Sequence, residues 1–310
     1  MPLDDAVVYN DDVYGMMGPY VMHFDGATGA LIASARVSAP LLGDCRITEL
    51  GGILYVSTWN NPAVPDYNFT GSIAGQNGLF PVNPVTLAVG TMLDLNLIYS
   101  IETPATQPLI QGPRFILGSG TYLYTTIFVS GGVNTIRINP LNTADRSLLT
   151  ALPGTSFSAT QQFAIDAAGG KIYVPLRDDI QQENLDGTGN STVDTGTDMN
   201  IAVAFDPAST STYSVSGSAT LNKIVWGPNT VSTFNLATIQ ANAKPFRIKY
   251  NPNDGLIYIP CQSQDCVIVW NPATDTGTVQ TGFISPIDCV FTSTKKWAVC
   301  NGVTPLQEIA

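Results

Sequence analysis

The side chains able to do chemistry are few in this sequence. Its 310 residues include one histidine, His23. A chain with one histidine cannot assemble a multi-histidine metal centre. A serine–histidine–aspartate relay would have to use His23, and no Gly-x-Ser-x-Gly elbow is present to offer the serine. The run Asp186-Gly187-Thr188-Gly189-Asn190-Ser191-Thr192-Val193-Asp194 alternates oxygen-bearing residues as a calcium loop does. It lacks the glycine such a loop needs at its sixth position, held by Ser191, and the glutamate it needs at its twelfth, held by Thr197. It reads as a polar loop, and no metal or other cofactor is expected. The five cysteines are Cys45, Cys261, Cys266, Cys289 and Cys300. Cys261 and Cys266 flank the loop 262–265, and Cys289 and Cys300 are symmetric about Thr294-Lys295. If those are hairpin turns, each pair stands opposite across two strands, where Cα atoms are about 4.5–5.5 Å apart and a disulfide can form. Small buried thiols filling core positions are the alternative. Disulfides would place the chain outside a reducing cytosol.

These residues must be positioned by a repeated unit. An apolar residue, then Asn, Asp or Gly, then Pro or Gly, then a small polar residue occurs at Phe24-Asp25-Gly26, Val82-Asn83-Pro84 and Ile138-Asn139-Pro140. It recurs at Leu185-Asp186-Gly187, Trp226-Gly227-Pro228 and Trp270-Asn271-Pro272. Each is a tight reversal, because Asp-Gly supplies positive φ and Asn-Pro or Gly-Pro presets the turn. The starts lie 58, 56, 47, 41 and 44 residues apart, and 64 residues separate Asn271 from Asp25 when counted through the chain ends. A second motif keeps the same beat, a short strand centred on an aromatic: Tyr55, Tyr122 with Tyr124, Tyr173, Tyr213, Tyr258 and Trp297. Further β-rich runs precede it, such as Arg114-Phe115-Ile116-Leu117 and Ala202-Val203-Ala204-Phe205. Strand, aromatic strand, strand, turn, strand makes a four-stranded blade.

The stretch Tyr250-Asn251-Pro252-Asn253-Asp254-Gly255-Leu256-Ile257-Tyr258-Ile259, continuing to Val267-Ile268-Val269-Trp270-Asn271-Pro272, resembles the YVTN and NHL-type β-propeller repeats. The resemblance implies architecture and no particular activity. The expected fold is all-β: a single domain over 1–310, a six-bladed β-propeller of four-stranded blades. Five blades fall at about 39–96, 97–152, 153–199, 200–239 and 240–283. The sixth is a composite of 284–310 with 6–38 that closes the ring between the chain ends. Seven blades, with the N-terminal region as a fuller sheet, is the alternative.

Loops from the second to the third strand and from blade to blade share one face of a propeller, and ligands sit there by fold analogy. Two long insertions are expected on it, one from Trp59 to Gly78 and one through the chain ends, Asn301–Ala310 with Met1–Pro19. They bring Trp59, Asn60, Asn61, Asp66, Tyr67, Asn68, Phe69, Tyr14 and Met16, a mixture that suits a protein or glycan contact. Covering apolar surface is the plainer role. Aligned innermost strands place Arg46, Arg114, Gln162, Ala202, Arg247 and Asp288 at one repeat position. Arg46, Arg114 and Arg247 could there hold an anion at the channel mouth, or pair with Asp288, Glu49 or backbone carbonyls. A resemblance to gluconolactonase-type lactonases would imply calcium ligands such as Glu49, Asp198 and Asn200, but no motif marks them.

Charged residues make up only 12% of the chain, and the net charge of −11 argues against nucleic acid. No apolar run reaches membrane-span length, and the N-terminus lacks the pattern of a signal peptide. A weakly charged surface suits a life within an assembly. The expectation is a non-catalytic structural or host-recognition component of a bacteriophage virion, in a tail, spike or decoration, within a homo- or hetero-oligomer and touching virion neighbours or a host receptor or glycan. A secreted or cell-surface ligand- or glycan-binding propeller and a calcium-dependent lactonase-like hydrolase are the alternatives.

Overall fold

The computed structural model describes residues 3–37, 45–58, 78–95, 111–129, 132–148, 162–197 and 199–310. They form seven antiparallel sheets, each a meander whose strands pair in chain order. The chain divides into two compact units, 3–156 and 157–310 with the first two residues.

The first unit holds three sheets. The first consists of β1 (Asp5–Tyr9), β2 (Asp12–Met17), β3 (Tyr20–Phe24) and β4 (Leu31–Arg36). The second has β5 (Arg46–Leu50), β6 (Ile53–Thr58), β7 (Gly78–Val82) and β8 (Leu93–Asp94). The third has β9 (Gln111–Ser119), β10 (Tyr122–Val129), β11 (Gly132–Ile138) and β12 (Arg146–Leu148).

The second unit holds four. Its first sheet is β13 (Ala164–Asp166), β14 (Lys171–Pro175), β15 (Asp179–Asn184) and β16 (Ser191–Asp194). Next come β17 (Asn200–Asp206), β18 (Ser211–Ser216), β19 (Thr220–Val225) and β20 (Thr230–Asn235). They are followed by β21 (Lys249–Asn251), β22 (Leu256–Cys261), β23 (Cys266–Asn271) and β24 (Thr276–Thr281). The last sheet has three strands, β25 (Pro286–Phe291), β26 (Lys296–Cys300) and β27 (Leu306–Glu308).

This is a β-propeller of seven blades, not six. The composite blade is corrected: β1 to β4 form a complete sheet of their own, and β25 to β27 form another. The 64-residue interval through the chain ends therefore spans two sheets. It is short for two because, among the described residues, β27 ends its sheet without a fourth strand and the connections are brief. The segments expected as a long terminal insertion are β27, β1 and β2 instead.

Both sequence motifs have fixed places in the blade. The six reversals all join a third strand to a fourth, and five of them are built on a side-chain oxygen that caps the turn. The carboxylate or amide oxygen of Asp25, Asn83, Asn139, Asp186 and Asn271 accepts from the backbone N–H two residues on, at 2.9–3.1 Å. The sixth uses Gly227, whose φ of 99° only glycine adopts easily. The aromatic strand is always the second strand of its sheet. Tyr173 on β14 stacks on Phe205 of β17 with ring centroids 5.3 Å apart, and Tyr258 on β22 lies 4.9 Å from Phe291 of β25. Tyr14 on β2 is the seventh member of this set, buried in the core rather than displayed on a loop.

Blades approach closely at their inner strands. Gly118 on β9 donates its N–H to Thr48 Oγ1 of β5 at 3.1 Å, and a methyl group at 118 would press against the Glu49 carbonyl and the Leu50 side chain. Gly118→Ala should therefore cost about 1–3 kcal/mol, as overpacking does. Urea titration should show a lower midpoint at unchanged slope.

Candidate functional site

The starts of the inner strands carry the buried polar groups that could form a site. In the second unit, the backbone of Gln162 bonds to β17 on both sides, its N–H to the Ile201 carbonyl at 3.1 Å and its carbonyl to the Val203 N–H at 2.9 Å. Its amide then reaches a further blade: Nε2 donates to the Ile248 carbonyl at 2.6 Å and Oε1 accepts from the Ile248 N–H at 3.4 Å. A primary amide matched to one peptide unit satisfies both of its groups in a buried place. Ala202 offers only a methyl group beside it.

The neighbouring position holds an ion cluster. Asp288 on β25 is fully buried, and its Oδ2 accepts from Arg247 Nη1 at 2.6 Å and from Lys249 Nζ at 3.0 Å. Its Oδ1 accepts from the Cys289 N–H at 2.8 Å. A buried carboxylate is tolerated only with such pairing, and two cations with a backbone amide supply it. Gln162, Ala202, Arg247 and Asp288, aligned from sequence, do come together here. Arg247 spends its Nη1 on Asp288.

The other two arginines lie in the first unit. Arg46 is buried, and its Nη1 donates to the carbonyls of Asp4 and Cys45, both at 3.2 Å. Beside it the Asp5 carboxylate accepts from the Ile47 N–H at 3.0 Å, joining β1 to β5. Arg114 belongs to β9, and its side chain lies outside the described residues. Trp59, Asn60, Asn61, Asp66, Tyr67, Asn68 and Phe69 also lie outside the described residues.

Two of the residues considered as calcium ligands, Glu49 and Asn200, have other partners. Glu49 Oε1 accepts from the Gly52 N–H at 2.7 Å, which closes the turn between β5 and β6. Asn200 sits in a buried network with Thr195, Ser214 and Asn222. Asp198 is outside the described residues. Asp186 spends its Oδ1 within its own turn, on the N–H and hydroxyl of Thr188 at 2.9 and 2.6 Å. Among the described residues no three metal-binding side chains converge, and no helix is long and apolar enough to cross a membrane.

Sequence reasoning set His23 aside, yet it has a defined setting on β3. Its Nε2 lies 2.8 Å from Asp12 Oδ2, and its ring stacks on Tyr14 at 4.4 Å. Burial, then the nearby Asp12, push the Tyr14 hydroxyl above its ordinary pKa. The sequence signal was an Asp and a His placed at the ends of two adjacent strands.

All five cysteines are buried, and none is in a disulfide. Cys261 and Cys266 are directly opposed, as expected. Cys289 and Cys300 are not: Cys289 faces Ala298 and Cys300 faces Pro286. The turn is centred on Ser293-Thr294, because Thr292 accepts the Lys295 N–H on its hydroxyl at 2.9 Å and donates its own N–H to the Lys295 carbonyl at 2.9 Å. That capping shifts the register from the symmetric one.

Comparison with solved structures bears on the fold. A chain of a crystal structure of the mitotic checkpoint complex superposes with a TM-score of 0.68 at 11% identity, covering 96% of this chain and 83% of its own. A streptogramin B lyase structure gives a TM-score of 0.68 at 11% identity, covering 98% of this chain and 91% of its own. The chain is a β-propeller repeat protein. With 1402 matching chains, the likeness identifies a widely shared scaffold and no one activity. No protein-family model matches the sequence, and no curated protein matches it significantly.

The pairing at Gln162 carries a prediction. Gln162→Leu keeps similar volume but strips both partners from the Ile248 peptide unit. It should destabilise the fold by about 1–3 kcal/mol, measured by denaturant titration, and should speed exchange of the Ile248 amide.

Proposed function

We propose that this propeller works by binding rather than by catalysis, as a structural or host-recognition component of a bacteriophage particle. The observation that supports a non-catalytic role is the use made of its reactive groups. Arg247 and Lys249 pair with Asp288, Gln162 is matched to a backbone peptide unit, and Glu49 and Asp186 close turns. Groups so engaged hold strands in register and have little freedom to meet a substrate.

The particle reading rests on composition and on the outer strands. Charged residues are 12% of the chain, and β20 and β24 contain none. Outermost strands ordinarily carry charge or proline to deter pairing with other chains, so uncharged ones suit a protein held among neighbours. The partners are then other particle proteins or a host surface receptor or glycan. Antibody raised against the purified chain should detect it in density-banded phage particles at a stoichiometric level. Absence from particles together with recovery from culture medium would instead support a secreted or cell-surface binding propeller.

One observation favours a second reading. The 2.8 Å contact between His23 and Asp12 is the geometry by which a carboxylate orients a general base. The intact chain, assayed on ester and lactone substrates with millimolar calcium, should show no turnover above buffer. Turnover removed by His23→Ala would replace the binding reading with an enzymatic one.

A further inference from the structure

The strongest unused chemistry in the molecule is the opposed pair Cys261 and Cys266. They form the last register pair of the β22–β23 hairpin and flank the loop 262–265. Pro260 has no N–H to exchange with Val267, which leaves Cys261 and Cys266 as a hydrogen-bonded pair with Cα atoms about 5.5 Å apart. That separation lies within the range a disulfide spans. The Cys261 thiol donates to the Ile259 carbonyl at 3.8 Å. The neighbouring sulfurs hold the Cys261 thiol above its ordinary pKa and lower that of Cys266.

The loop between them is a junction. Its Gln264 side chain accepts from the Lys244 N–H at 2.9 Å, and its Asp265 carboxylate accepts from the Ser285 N–H at 2.8 Å. Lys244 lies in the connection leading to β21 and Ser285 in the one leading to β25. Two connections of the second unit are thus tied to the hairpin that the cysteines close.

We propose that Cys261 and Cys266 are a thiol–disulfide switch that fixes this loop cluster when the protein meets an oxidising disulfide. The Cys266 thiolate attacks one sulfur of a small disulfide and expels the other sulfur as a thiolate, which takes up a proton from water. The Cys261 thiol loses its proton to solvent and attacks the Cys266 sulfur of the mixed disulfide, expelling the second small thiol. Two protein thiols are oxidised and one small disulfide is reduced to two thiols. Both sulfurs are buried, so the reaction waits on fraying of the hairpin end and runs slower than at an exposed thiol. Cys289 is fully buried with its thiol pushed well up by desolvation, and the Cys300 thiol is pushed up to about 11 by burial.

The test incubates the intact chain with oxidised glutathione at pH 8, quenches with an alkylating reagent after unfolding, and maps thiols by mass spectrometry. Two of the five thiols should be lost, with a 261–266 cross-link that dithiothreitol reverses and a thermal midpoint raised by about a few degrees. The Cys266→Ser variant, verified as folded by near-ultraviolet circular dichroism, should form no intramolecular cross-link. Five alkylated thiols after prolonged oxidation, or a cross-link through Cys45, Cys289 or Cys300, would overturn the proposal.

Discussion

A charge or an amide buried at the start of an inner strand must find a partner, and in this propeller the partner belongs to the next blade or the one beyond. These positions are buried, so an unpaired group there would cost several kcal/mol. Asp288 meets this constraint through Arg247 and Lys249, Gln162 through the Ile248 peptide unit, and Asp5 through the Ile47 N–H. Each contact is long-range in sequence and short in space. Within each unit the blades are therefore located by directional bonds as well as by packed apolar faces such as the cluster around Tyr213, Ile248 and Trp270. Apolar contact alone would tolerate sliding, whereas a bidentate amide or a doubly paired carboxylate does not.

The repeat was legible because its signals are local. An Asx turn needs only an Asn or Asp and the next three residues, and the five counted in the repeat all join a third strand to a fourth. The buried aromatic of the second strand is equally local in sequence, although the neighbour it packs on is not. Blade number was harder to read because the N-terminal copy is disguised. Gly15 next to Tyr14 looks like a loop residue, but it lies within β2 because the Leu3 side chain occupies the space a Cβ would need. With Tyr14 counted among the aromatic strands, the beat has seven members.

The candidate site was legible in position and misleading in role. Aligning the inner strands brought Gln162, Ala202, Arg247 and Asp288 to one place, which the structure reproduces. What alignment cannot give is which side chains have already paired: Arg247 in an acidic chain reads as an anion hook, but Asp288 beside it leaves that charge engaged. The cysteines divide on the same principle. The Cys261–Cys266 spacing leaves one short loop and one register, whereas the position of Cys289 against Cys300 depended on where Thr292 caps its turn.

The inner-strand polar groups act as structural ties between blades within each unit. A double-mutant cycle on Arg247→Met and Asp288→Leu, followed by urea unfolding, tests this most directly. Each single change should cost about 3–5 kcal/mol because it strands a buried charge. The double variant should cost far less than the sum, with a coupling energy of at least about 2 kcal/mol. Near-neutral, additive single changes would contradict the account and leave the Arg247 guanidinium available to an external anion.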